Sequence, residues 1–156
     1  MRLLIGAVVV SLGLFSNPLL AQAQQKVSDN QVAAMVEALR KAAPQTKNPN
    51  DGLYSAWQVK PETLRGWSRF CLKKEVTPTQ FENDQNLARQ VVSCIVRREL
   101  NQQLQATNNN EIAAVRGVGC WWMTGSYKGC DRGFTAAYVQ KVVNFYQQQR
   151  SKPPVR

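Results

Sequence analysis

The sequence predicts an all-helical (all-α) domain with two disulfide bonds, preceded by a cleaved signal peptide. Apolar residues recur at three- and four-residue intervals without an alternating strand pattern, the cysteines are even in number, and the N-terminus is apolar. No internal repeat and no second domain is evident. We therefore divide the chain into a signal peptide over 1–23, a single helical domain over 24–150 and a disordered tail over 151–156.

The N-terminal leader has the features of a signal peptide. Arg2 precedes an apolar run over 3–15, and Ala21-Gln22-Ala23 supplies small residues for cleavage after Ala23. The run is too short to span a bilayer and Pro18 prevents its continuation, although a retained membrane anchor is the alternative. We expect a secreted or periplasmic protein with no membrane span after cleavage.

All cysteines fall in the exported part of the chain, where an even number favours disulfides over a metal site. The chain has 4 Cys and no His, and the cysteine spacings lack a Cys-x-x-Cys pair. Of the three possible pairings we favour Cys71 with Cys94 and Cys120 with Cys130, because each would join neighbouring elements. We expect no metal and no cofactor.

The first predicted helix covers about 29–43. Ser28 and Gln31 form a capping-box pattern at its start, and Pro44 stops it. Its apolar positions fall on one face and comprise Val32, Met35, Val36 and Leu39. A loop over 45–52, rich in Asn and Pro, connects this helix to the next element.

Two shorter elements and the longest helix come next. Pro61 suits the first position of a helix over 61–70, and Thr77-Pro78-Thr79 begins a further turn. The longest helix covers about 84–105. Its inward stripe comprises Leu87, Val91, Cys94, Ile95, Leu100 and Leu104.

The C-terminal half ends with two helices. After a break at 107–110 we predict a helix over 111–122, then a glycine-rich turn over 125–133. Thr135 is expected to cap the last helix. One face of that helix carries Tyr138, Val139, Val142, Phe145 and Tyr146.

The stretch 52–62, together with Gly66-Trp67-Ser68, is the most informative part of the chain. It concentrates Tyr54, Trp57 and Trp67 with a glutamine and turn residues, and it shows no helical period. Solvated connecting loops rarely carry so many aromatic side chains unless these pack or hold a ligand. The stretch therefore lines a cleft or fills the core.

The order of these elements resembles the lysozyme-like fold of soluble lytic transglycosylases and their phage relatives. The match starts with the first helix and the segment 52–61, and continues with Gly66-Trp67-Ser68 and the long helix. It ends with 113–125 and the Thr-Ala-Ala-Tyr-Val-Gln-Lys-Val run at 135–142, and covers 32–146 in all.

The resemblance implies peptidoglycan or another cell-envelope glycan as the ligand. In the family, a Glu at the end of the first helix protonates the glycosidic oxygen, and the aromatic-glutamine segment forms one wall of the saccharide cleft. Aromatic rings stack on the apolar faces of sugars, and an amide hydrogen-bonds to their hydroxyl and N-acetyl groups. By motif position the substrate-binding residues would be Tyr54, Trp57, Gln58, Trp121, Trp122 and Tyr138.

Glu37 is the candidate general acid and base of a lytic reaction, because no other carboxylate comes after Asp29 in the first helix. The family's Glu-Ser pair is missing, since the helix ends in Ala42-Ala43-Pro44, and the Tyr-Asn-Ala-Gly turn is replaced by 122–125. A general acid needs an apolar, partly closed site that raises its pKa. A solvated position on the polar side of the helix is the alternative for Glu37.

The chain is strongly basic, with a net charge of +10. Arg2 contributes one of these positive charges and would be removed with the leader. Such a protein concentrates near anionic polymers, although the excess equally suits a solubilising surface, and no nucleic-acid motif is present. The lack of histidine excludes Ser-His-Asp and Cys-His catalysis.

Three functional hypotheses remain. The first is a secreted peptidoglycan-interacting or glycan-interacting protein of lysozyme-like fold with weak or lost lytic activity. The second is an active cell-wall transglycosylase or lysozyme that uses Glu37. The third is an unrelated disulfide-braced basic helical module that binds anionic envelope polymers. We favour the first, because the position of the acid is the weakest part of the resemblance.

Overall fold

The computed structural model describes residues 26–44 and 51–152. Within these ranges the chain forms helices and no β-strand, which confirms the predicted all-helical class. The helices are α1 (Asp29–Ala42), α2 (Pro61–Leu72), α3 (Pro78–Asn83), α4 (Gln85–Ala106), α5 (Glu111–Thr124) and α6 (Gly133–Arg150). None of these described helices has the length and apolar content that a bilayer crossing requires. The predicted signal peptide and most of the predicted 45–52 loop and C-terminal tail lie outside the described residues.

The capping box of α1 confirms the predicted start of this helix. Ser28 Oγ accepts a hydrogen bond from the Gln31 amide at 3.2 Å, and the Ser28 amide donates to Gln31 Oε1 at 2.9 Å. The predicted apolar stripe faces inward and is buried. Because α1 also packs extensively against α6, these two helices form the centre of the core.

The remaining helices are arranged around α4. Helix α5 packs between α4 and α6, whereas α2 and α3 lie against α4. Gly117 of α5 permits a close approach to α4, since a Cβ at this position would lie 2.4 Å from Gln103 Oε1. This packing sets the position of α2 relative to α5, and the candidate site lies between those two helices.

The favoured disulfide pairing is confirmed. Cys71 and Cys94 are bonded, with their Cα atoms 6.0 Å apart, and they tie α2 to α4. Cys120 and Cys130 are bonded with Cα atoms 5.7 Å apart, and they close a loop between α5 and α6. Both bonds hold elements that carry aromatic residues of the site.

The start of α6 differs from the prediction. The helix begins at Gly133, after Arg132, and Thr135 does not cap it. The Thr135 hydroxyl instead donates to the Arg132 carbonyl at 3.1 Å, so it points back along the chain and not towards the amides of the first turn. The sequence pattern was misleading because a threonine inside the first turn can donate backwards as readily as it can cap.

Candidate functional site

A solvent-accessible hollow of about 410 Å³ lies between α2, the end of α5 and the segment after α1. Such a volume falls within the range of small-molecule binding sites. Its walls include Trp57, Gln58, Trp67, Trp121, Trp122 and Tyr138. The hollow therefore brings together all the predicted substrate-binding residues except Tyr54, and it adds Trp67.

A tight turn presents Gln58 to the hollow. Tyr54 and Val59 form an isolated antiparallel bridge, with both amide-to-carbonyl distances at 2.9 Å. Between them Ser55 (φ 62°) and Gln58 (φ 55°) take left-handed conformations, and the Gln58 amide donates to the Ser55 carbonyl at 3.0 Å. The Glu82 carboxylate accepts from the Ser55 amide and fixes the turn against α3.

Trp57 anchors this turn in the core. It is only 3% exposed, and its indole N–H donates to the Val36 carbonyl of α1 at 2.9 Å. The Arg89 guanidinium lies 5.4 Å from its ring centroid. Trp57 thus forms the base of the hollow and does not offer an open face for stacking.

The open wall of the hollow is a cluster of three half-buried tryptophans. The Trp67 ring of α2 lies 4.9 Å from that of Trp122 and 6.0 Å from that of Trp121, with an angle of 23° between the planes of Trp67 and Trp121. Trp121 and Trp122 meet edge to face at 6.4 Å. These rings support one another, so the wall is held in place before any ligand arrives.

Two polar side chains line the hollow beside the tryptophans. Gln58 Nε2 donates to the Ser55 carbonyl at 3.1 Å, whereas Gln58 Oε1 is buried and has no hydrogen-bond partner among the described residues. Tyr138 is 3% exposed, and burial raises the pKa of its hydroxyl well above the ordinary value. A buried acceptor without a donor is costly, and this one belongs to a side chain that lines the hollow.

Glu37 lies outside the hollow and in a different electrostatic setting from the one expected. Its Oε1 is 2.6 Å from Arg89 Nη2, and its Oε2 accepts from Arg40 Nε at 2.9 Å. Partial burial would raise the pKa of Glu37, but the hydrogen bonds and charges of Arg89 and Arg40 outweigh it and hold the pKa below its usual value. Glu37 is therefore ionised near neutral pH, which disfavours a role as general acid.

No carboxylate lines the hollow among the residues that the structure describes. The charged residue in its wall is Lys60. Within the described ranges there is also no cluster of His, Cys, Asp and Glu side chains that could hold a metal ion. Among the described residues, the titratable side chains that line the hollow are those of Lys60 and Tyr138.

Tyr54, a predicted binding residue, does not line the hollow, whereas Trp67 does. Tyr54 packs against the core beside the hollow, because its backbone pairs with Val59 in the bridge. Trp67 belongs to the aromatic stretch that the sequence singles out, and on α2 it lies four positions after Thr63, another wall residue. Helical spacing could therefore have assigned Trp67 to the site.

Comparisons with protein-family models, with curated proteins and with solved structures found no match to this chain.

Proposed function

We propose that the protein is an exported binding protein for peptidoglycan or another cell-envelope glycan, and that it does not cleave the bound chain. The observation that carries this proposal is the tryptophan-walled hollow, whose described residues include an unpaired buried acceptor and no carboxylate. Export is part of the proposal and is supported by the leader sequence and by the two disulfides.

The hollow matches the surface chemistry of a sugar. Sugar rings carry apolar C–H faces that pack on indoles, and their rims carry hydroxyl and amide groups that donate hydrogen bonds. The half-buried rings of Trp67 and Trp122 offer the packing surface, and the Gln58 side chain in the same wall offers a polar group.

The lytic alternative is less well supported. Glu37 is outside the hollow, and its ion pairs with Arg40 and Arg89 favour the ionised carboxylate. A catalyst that must donate a proton to a glycosidic oxygen needs the opposite shift of its pKa. Lost lytic activity on a lysozyme-like framework, as the sequence motifs suggest, is the form of the hypothesis that we retain.

The proposal is tested with the chain from Gln24 onward, by titrating chitohexaose in a calorimeter and by sedimentation with insoluble peptidoglycan. We expect Trp122→Ala to weaken chitohexaose binding at least about tenfold, equivalent to about 1.4 kcal/mol. Phe134→Ala is the control, because Phe134 is 67% exposed and does not line the hollow. Equal affinity of the Trp122→Ala variant and the unaltered protein would refute the glycan site.

A second pair of variants isolates the unpaired acceptor. Gln58→Ala removes a side chain that lines the hollow and carries the unpaired Oε1, and we expect weaker binding of chitohexaose. Gln149→Ala is a matched control, because Gln149 Nε2 is also buried without a partner in the described part of the chain but lies outside the hollow. Release of soluble fragments from peptidoglycan by the unaltered protein, and its loss in Glu37→Gln, would instead establish the lytic alternative.

A further inference from the structure

A second aromatic feature lies on α2 beyond the hollow. Phe70 is three positions after Trp67, so both rings lie on the same side of the helix. Trp67 is half-buried in the wall of the hollow, whereas Phe70 is 48% exposed. An exposed ring next to a cluster of aromatic side chains is typical of a contact surface.

Two cations flank this exposed ring. The Arg98 guanidinium carbon lies 4.8 Å from the Phe70 ring centroid, and Lys73 Nζ lies 5.6 Å from it. Arg98 Nε also donates to Glu99 Oε1 at 2.6 Å. Glu99 is only 2% exposed, so Lys73 and Arg98 are accessible at the surface and the Glu99 carboxylate is not. We call Phe70, Lys73 and Arg98 the Phe70 patch.

Unbroken contacts join the hollow to the Phe70 patch. Trp121, in the wall, stacks on Tyr127 at 6.3 Å with an angle of 19° between the rings. The Tyr127 hydroxyl donates to the Glu99 carboxylate, which in turn accepts from Arg98 beside Phe70. The path through Glu99 is buried, but on the surface the two regions are connected along α2, where Trp67 in the wall and Phe70 lie on the same side of the helix.

We infer that the glycan bound in the hollow extends along this surface and is acidic, with a carboxylate held beside Lys73 and Arg98. This inference rests on the proposed function, because the hollow must hold the neighbouring sugar. The ring and the cations are complementary to such a chain, since the apolar face of a sugar packs on Phe70 while its carboxylate meets the ammonium and guanidinium groups.

An acidic chain molecule fits this surface better than an anionic membrane does. Phe70 projects into solvent, but the tryptophans of the wall are half-buried and cannot enter a bilayer. A membrane would therefore contact the Phe70 patch alone and leave the adjoining aromatic surface unused. A narrow polymer can contact all of it.

The test compares two probes of equal length in calorimetric titrations. Chitohexaose is neutral, and hyaluronan hexasaccharide carries carboxylates on alternate sugars. We expect hyaluronan hexasaccharide to bind more tightly at about 50 mM NaCl and to lose that advantage at about 500 mM, because salt screens exposed charges. Equal affinity of the two probes at low salt would overturn the inference.

Two variants assign the difference to the Phe70 patch. We expect Phe70→Ala to weaken the binding of both probes, and Lys73→Gln to weaken hyaluronan binding about three- to tenfold and to leave chitohexaose binding unchanged. Their matched controls are Phe134→Ala and Lys41→Gln, which remove another exposed ring and another cation that lies 5.7 Å from an aromatic ring. Arg98 is not replaced, because its removal would leave the buried Glu99 carboxylate without its ion-pair partner.

The outcomes separate the two proposals. Chitohexaose binding that depends on Trp122, with no preference for hyaluronan, would overturn the acidic-glycan inference and support the proposed function. Failure of both probes to bind would refute the proposed function as well. Binding to vesicles of anionic phospholipid that requires Phe70 and Lys73, without hyaluronan binding, would overturn the inference in favour of a membrane contact.

Discussion

Alanine substitution of Trp57 and Trp122 separates the structural role of one indole from the binding role of the other. Trp57 is 3% exposed and donates a hydrogen bond to the Val36 carbonyl at 2.9 Å. Burying an aromatic side chain removes about 150–250 Å² from water, which at about 25 cal/mol per Å² stabilises the fold by about 4–6 kcal/mol. We expect Trp57→Ala to lower the free energy of unfolding by about 4 kcal/mol, as is typical of truncated core tryptophans.

Trp122 contributes less than Trp57 to the stability of the fold. It is half-buried, and its main aromatic contact is Trp67, at 4.9 Å. Water can enter the space that Trp122→Ala leaves, so no closed cavity forms. We expect its free energy of unfolding to fall by about 1–2 kcal/mol, while chitohexaose binding is lost or strongly weakened.

Urea unfolding measured by far-ultraviolet circular dichroism compares both variants, since this signal comes mainly from the helical backbone. Trp57→Phe serves as an intermediate variant that keeps a ring and loses the N–H donor, with an expected loss of about 1–2 kcal/mol. Equal destabilisation by Trp57→Ala and Trp122→Ala would show that both rings are sealed in the core. The description of an open tryptophan wall would then be incorrect.

Three further predictions concern the contacts around the site. Glu37→Gln should leave glycan binding unchanged and lower the free energy of unfolding by no more than about 1 kcal/mol, because its arginine partners are partly exposed; a larger loss in urea unfolding would contradict this. Burial, together with the hydrogen bond and the charge of Glu99, raises the pKa of Tyr127 to about 12, from about 10 in the unfolded chain. The stability that this shift provides is therefore complete below about pH 10 and is lost as the pH rises through about 12. Tyr127→Phe should therefore flatten the dependence of the urea midpoint on pH in this window, and an unchanged slope would exclude Tyr127 as its source. Joint replacement of Cys71 and Cys94 by alanine should cost about 3 kcal/mol in the same assay, because the bond closes a loop with a sequence separation of 23; a loss below about 1 kcal/mol would show that packing already holds α2 on α4.

Local signals in the sequence were sufficient to place most of the helices. The capping box at Ser28 and Gln31, the proline at the first position of α2 and the glycine after α5 each act within a few residues, so they can be read without knowing the tertiary structure. The same holds for the apolar stripe of α1. Thr135 shows the limit of such signals, because a hydroxyl near a helix start can cap it or donate backwards.

The candidate site could be predicted only in part. Aromatic composition identified segments that line the hollow, but it does not say which indole is covered by the core and which is open, and Trp57 and Trp67 differ in this respect. The lowered pKa of Glu37 depends on Arg89, which belongs to α4 and is far from Glu37 in sequence. The charge beside Phe70 likewise depends on the packing of α2 against α4, because Arg98 belongs to α4.

The disulfide between Cys120 and Cys130 has a consequence for the kinetics of ligand capture. The segment it encloses contains Trp121, Trp122 and Tyr127, and Tyr127 is held to α4 by Glu99. The disulfide and the Glu99 contact restrict this part of the wall, so we expect a ligand to meet it already assembled. Stopped-flow association should then show a single exponential whose observed rate rises linearly with ligand concentration, without the plateau that a slow rearrangement would impose.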